Sequence, residues 1–199
     1  VLGDSLFSVV LKHYVVQWKF AHPYPEDFRN SVIQYTHIDL NWFFDQWIET
    51  TKNIDYKLGC IKKGKAKDDY VIKIIRKGRM QMPIDLQVLG KNDSLYDFYI
   101  PNTWFEKQPD SAQLAHHITT LTKWYGWDKL QPTYEAAVNI PGGIKNVIID
   151  PSERLADINM LDNRKKGNVE FRVDSHIYPF PSWQKYRTYM RPDVWWNAY

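Results

Sequence analysis

Six histidines are the first residues to test for chemistry: His13, His22, His37, His116, His117 and His176. A helix that offers zinc two ligands and a base needs H-E-x-x-H, and that pattern does not occur. His116 and His117 are adjacent, so their side chains diverge on a strand and stand well apart on a helix, which disfavours chelation by the pair. His13 and His22 flank an aromatic face and read as packing or hydrogen-bonding residues. Cys60 is the single cysteine, which excludes an internal disulfide and a thiolate metal cage and leaves the redox compartment open. There is no G-x-S-x-G elbow, no G-x-G-x-x-G and no phosphate loop; Gly142-Gly143 follows a strand pattern but opens another strand, not a helix. Asp68-Asp69 reads as a turn, and Asp150-Pro151-Ser152-Glu153 as a strand end without the spacing of a calcium loop. Asn92-Asp93-Ser94 is a three-residue glycosylation pattern that matters only in a eukaryotic secretory context. No residue is assigned a catalytic, cofactor-binding or metal-binding role.

Composition narrows the partners. Net charge is only +3 over 199 residues, and the cations are spread along the chain, so nucleic-acid binding has no electrostatic footprint. The densest basic runs, Lys62-Lys63-Gly64-Lys65 and Arg164-Lys165-Lys166, fall between periodic segments and read as solvated turns. No apolar run is long enough to span a membrane as a helix. Aromatic residues make up 16%, a share that suits a sandwich core, a sugar platform or a protein interface.

The elements follow from periodicity. Phe7, Val10, Leu11, Tyr14, Val15 and Trp18 recur at spacings of three and four, the stripe of an amphipathic helix that Asp4 or Ser5 could cap. Pro23 and Pro25 break the pattern, and Pro25 then suits the first turn of a second helix. Asp39 is placed to cap a third, with Leu40, Phe43, Phe44, Trp47 and Ile48 on one face and Asn41, Asp45 and Glu49 on the other. Near Thr51 the period drops to two. Tyr70-Ile72-Ile74, Met82-Ile84-Leu86-Val88, Tyr96-Phe98-Ile100, Tyr134-Ala136-Val138-Ile140 and Lys145–Asp150 each alternate as half-buried strands. Pro83 places its strand at an edge or a bulge. Val169–Val173 reads as one more strand. The resulting fold class is α+β: three short N-terminal helices packed on an antiparallel β-sandwich. The division is 1–51 helical, 52–166 sandwich, and 167–199 a linker or the start of a further β-rich region.

Pro25-Glu26-Asp27-Phe28, followed by Ile38-Asp39-Leu40-Asn41-Trp42-Phe43-Phe44-Asp45-Gln46-Trp47, resembles the end of the catalytic domain in aminopeptidase N and leukotriene hydrolase-like zinc metallopeptidases, the gluzincins. The second segment keeps every position of that family's D-L-x-W-F-F-x-Q-W pattern. Val1–Tyr14 is similar to the preceding helix, and Ile148-Ile149-Asp150-Pro151 with Leu155–Asn159 to the last strand of the β-sandwich that follows. The resemblance implies a parent peptidase that removes N-terminal residues, with its zinc, H-E-x-x-H, third carboxylate ligand and transition-state tyrosine all upstream. No residue of this chain inherits a catalytic role, and no cofactor is expected within it. Its main partner would be the rest of its own polypeptide, with peptide substrates met only through the parent. Asp193–Asn197 is similar to long bacterial variants that continue into another β-rich region, which favours a periplasmic or cell-envelope location.

Three functions compete on these grounds. The first is a bracing module for the catalytic domain. The second is a carbohydrate-binding sandwich using Trp104, Trp124, Trp127, Trp183, Trp195 and Trp196, which requires exposed rings. The third is a protein-interaction sandwich. An excised fragment should strand apolar rings on its helical face, with Trp18, Phe20, Phe28 and Tyr35 the first candidates, and should self-associate through it. Phe43, Phe44 and Trp47 are expected to pack between helices and sandwich. Removing the helices by starting at about Asn53 is expected to improve solubility.

Overall fold

The computed structural model describes residues 1–107 and 118–165. The expected strand at Val169–Val173, the division near 166, His116, His117, His176, Trp183, Trp195 and Trp196 lie outside the described residues. Three helices come first: α1 (Asp4–Trp18), α2 (Pro25–Thr36) and α3 (Asn41–Ile48). Strands β1 (Tyr56–Lys63), β2 (Asp69–Arg76), β3 (Ile84–Gly90), β4 (Leu95–Ile100), β5 (Thr119–Thr120), β6 (Thr133–Asn139) and β7 (Ile144–Ile149) follow. They form a three-stranded sheet in the order β1-β2-β6 and a four-stranded sheet in the order β5-β4-β3-β7. Pairing is antiparallel except for the short parallel β4–β5 contact. The α+β class with helices on a sandwich is therefore what the chain adopts.

Alternation explains the core. Ile72 and Ile74 of β2, Ile84, Leu86 and Val88 of β3, Ala136 and Val138 of β6, and Val147 and Ile149 of β7 are buried in one continuous cluster. Tyr56 reaches across it. Its hydroxyl accepts the Met82 N–H at 2.9 Å and donates to the Met82 carbonyl at 3.3 Å. Burial pushes the Tyr56 phenol far above its ordinary pKa.

Several local expectations are corrected. Strand β1 breaks its own alternation: Leu58 pairs with Ile74 but Ile61 with Ile72, so an extra residue bulges at Gly59-Cys60 and the apolar positions change parity. A Cβ at Gly59 would stand 3.0 Å from the Lys73 carbonyl oxygen, which explains the glycine. Pro83 does not mark an edge. β3 lies between β4 and β7, and Pro83 precedes its first paired residue, so no ladder bond needs the missing donor. Helix α1 starts at Asp4 with Gly3 as its N-cap at φ 77, so neither Asp4 nor Ser5 caps it, although Asp4 sits favourably in the first turn. In α3 the N-cap is Leu40, yet Asp39 still serves the helix end: its Oδ1 accepts the Asn41 N–H at 3.0 Å. Residues 155–159 form no strand after β7. They belong to a loop in which buried Asp157 accepts from Tyr56 N–H (2.9 Å), Asn159 N–H (2.8 Å) and Asn163 Nδ2 (2.9 Å).

Candidate docking surface

Helix α3 has only eight residues and is buried from two sides. Leu40 and Phe44 are four apart and share one face, where they join Val10 of α1 and Val32 of α2. Trp42 projects the opposite way and enters the sandwich core with 7% of its surface exposed. Its indole stacks on Trp104 (centroids 6.0 Å apart, planes 9° apart) and tilts against Phe105 at 5.9 Å. Phe43 touches both clusters. The sequence pattern put Trp47 in this seam, but Trp47 is 43% exposed and Ile48 is also open to solvent. The residue that docks is Trp42. A single-stripe reading misses it, because a helix wedged between two layers buries two faces.

Polar contacts hold the wedge in place. Gln46 accepts the Gln81 N–H at 2.8 Å, and its own amide donates to the Trp42 carbonyl at 3.0 Å. Gln81 is fully buried. Its Nε2 donates to the Trp124 carbonyl at 2.7 Å, and its Oε1 accepts from the Thr103 hydroxyl at 3.0 Å. Every polar atom of that side chain is thus satisfied, which a buried amide requires. On the far side, Arg29 of α2 grips α3 through Asn41 Oδ1 (2.8 Å), Asp45 Oδ1 (2.7 Å) and Glu49 Oε1 (3.2 Å).

The outer helical face is different. Phe7, Val9, Val15, Val16, Phe20, Tyr24 and Tyr35 are all exposed, and Phe20 is 99% open. Of the four rings expected to be stranded, Phe20 and Tyr35 are. Trp18 and Phe28 are half-buried, and Phe28 packs edge-on against Tyr14 and Phe44 at 4.9 and 5.9 Å. Phe7 and Val15, which share the sequence stripe with Val10, face solvent. Between the helices and the four-stranded sheet lies a cavity of about 390 Å³, with Phe7, Phe43 and Trp47 on the helical side and Asp85 and Tyr99 on the sheet side. Partial desolvation by the cavity walls raises the Asp85 carboxyl above its ordinary range, although the residue is solvent-exposed and Lys107 partly opposes the shift. Burial also pushes the Tyr99 phenol up to about 12, although its hydroxyl accepts the Lys107 N–H at 2.9 Å.

The other sequence candidates scatter. His13 packs on Tyr35 at 4.6 Å, while His22 and His37 are exposed, His37 closing α2 in the left-handed region at φ 54. Cys60 is exposed on the β1 bulge. Asp150 turns its carboxylate onto its own loop, accepting from Leu155 N–H (2.7 Å) and the Ser152 hydroxyl (3.1 Å). Asn92 lies exposed in the β3–β4 turn. Among the described residues no three His, Cys, Asp or Glu side chains converge as a metal site would need. Likewise, no described helix is long and apolar enough to cross a membrane. Trp124 is buried, with its Nε1 donating to the Gln131 carbonyl at 3.0 Å, whereas Trp104 and Trp127 are about half exposed.

Fold and surface together define a helix-capped antiparallel sandwich whose most developed feature, among the described residues, is a docking seam and an open apolar helical face. No protein-family model, no curated protein and no solved structure matches the chain.

Proposed function

We propose that this chain is the non-catalytic closing part of a zinc aminopeptidase-like metallopeptidase, in which the sandwich braces the catalytic part. The observation that carries this reading is the wedge of α3. The residues of its metallopeptidase-like pattern have joint-making roles: Leu40 and Phe44 hold the helices, Trp42 the sandwich, and Gln46 the buried Gln81. The open faces of α1 and of the α1–α2 connection supply a surface for the rest of such a polypeptide, since monomers seldom leave contiguous apolar patches uncovered. Zinc and the hydrolytic groups would reside upstream.

The test pairs this chain with the polypeptide encoded immediately upstream. Elemental analysis and an aminoacyl reporter should find zinc and activity in the joined protein and neither in this chain alone. Trp42→Ala in the joined protein should lower both its melting temperature and its activity. An upstream stretch without H-E-x-x-H, or one tightly held zinc per isolated chain that is lost on mutating a histidine, would overturn the proposal.

A carbohydrate-binding role is the second reading, supported by one groove. Half-exposed Trp104 and Trp127 flank a cleft of about 420 Å³ that Asp39, Asn41 and Arg79 also line. Saccharide binding lost in Trp104→Ala and Trp127→Ala would favour it.

A further inference from the structure

The two basic runs are a hundred residues apart in sequence, yet the fold brings them to one place. Lys63 from the first and Arg164 and Lys165 from the second line a cleft of about 470 Å³, joined by Lys91 and by Tyr70. Four cations share this lining and no carboxylate does, in a chain whose net charge is only +3. Glu153, outside the lining, pairs with Arg164 Nη2 at 3.6 Å. Among the described residues Lys63 and Lys91 make no ion pair.

Each cation is carried by backbone that is pinned. Lys63 is the last residue of β1 and pairs with Tyr70 of β2. The Lys91 N–H donates to the Gly143 carbonyl at 2.9 Å, tying the β3–β4 turn to the β6–β7 turn. Arg164 bridges to Ile148, and the Lys165 N–H donates to the Val147 carbonyl at 3.0 Å, so both ride on the edge of β7. Gly143, at φ 93, keeps the turn clear: a Cβ there would stand 3.1 Å from the Tyr70 hydroxyl and 3.6 Å from Lys91 Cδ. Apolar Leu58 and Ile144 line the same cleft, and low-dielectric walls strengthen the field of the charges around them.

We infer that this cleft binds a phosphate-bearing anion. Three ammonium groups, a guanidinium and a phenolic hydroxyl offer donors to several oxygens at once, and charge-assisted hydrogen bonds to an oxyanion are the strong ones. The site is independent of the proposed bracing role, since it lies at the β1 and β7 edges rather than on the helical face.

The experiment is calorimetric titration of the full chain with inorganic pyrophosphate at low salt. One pyrophosphate per chain should bind, and Lys91→Gln/Arg164→Gln should weaken it roughly tenfold or more. Lys63→Gln/Lys91→Gln should do the same without touching the β7 bridge. Lys12→Gln/Lys19→Gln removes the same charge from α1 and the residue that caps its end and should leave affinity unchanged. Equal weakening by all three pairs, or no binding by the wild-type chain, would overturn the site. A second arm uses phosphatidylcholine vesicles with and without phosphatidic acid. Retention on the acidic vesicles, displaced by pyrophosphate, marks a lipid headgroup as the source. Pyrophosphate binding without vesicle retention marks a soluble phosphate. Either result supports the cleft.

Discussion

The sandwich and the helical end solve burial in different ways. The sandwich closes two alternating sheets on each other and gathers more than twenty buried residues into one cluster. The helices bury only Val10, Val32, Leu40 and Phe44 together and leave Phe7, Val9, Val15, Val16 and Phe20 in solvent. The contrast is geometric. A sheet pair offers each strand a facing layer, whereas three short helices on one side of a sandwich have no second layer for their outer face. Helix α3 belongs to both regions, and that makes it the place to probe the difference.

The largest expected effect separates the two tryptophans of α3. Trp42→Ala removes a buried ring from the sandwich cluster and should cost about 3–5 kcal/mol, whereas half-exposed Trp47→Ala should cost less than about 1 kcal/mol. Urea unfolding of both variants is the measurement. Equal losses would mean that α3 is not wedged as described.

Within the sandwich, Tyr56→Phe leaves the buried Met82 N–H and carbonyl without their partner and should cost about 1–3 kcal/mol. Because the substitution leaves the exposed helical side chains untouched, light scattering should show the same association state as the wild type. A change in association would tie the two regions more closely than their separate clusters imply.

The exposed helical face should make the isolated chain self-associate, a smaller effect that depends on concentration. Val9→Ser, Val16→Ser and Phe20→Ser together should reduce scattering without lowering the melting temperature, since all three side chains are exposed. Truncation sharpens the comparison only if it spares α3. A chain starting at Asn53 loses Trp42 from the sandwich core and should be less stable, while one starting at Asp39 keeps Trp42 but uncovers Leu40 and Phe44, so it should scatter more than the triple-serine variant. Identical scattering by the triple-serine variant and the full chain would remove the open helical face as a cause of association.

The smallest effect concerns pH. Ionisation of Asp85 is harder in the folded state than in the unfolded chain, so its raised pKa contributes stability fully present below 3.8 and lost as pH rises through the folded value. Asp85→Asn should therefore raise the melting temperature at neutral pH, with the gain shrinking as pH falls toward 3.8. Its carboxylate faces an open cavity, which screens the charge and keeps the gain modest. A gain that grew on acidification would reverse the assignment.

Periodicity alone determined the three helices, five of the sandwich's strands and the α+β class, because a residue's placement on a face depends only on spacings of 3.6 or 2. The exposure of Phe20 and Tyr35 was expected from the account of an excised fragment, not from periodicity. Strand β1 was illegible because the Gly59-Cys60 bulge changes the parity of its apolar positions. Pro83 misled because a proline at the mouth of a strand and one inside an edge strand look alike until the neighbours are known. Trp42 and Trp47 are chemically equivalent in sequence, and only packing between two layers decided which of them is core. The basic runs show the same limit most clearly. Two solvated turns became one cationic cleft because β1 and the segment after β7 meet at the open edge of the sandwich, a long-range contact that no local spacing encodes.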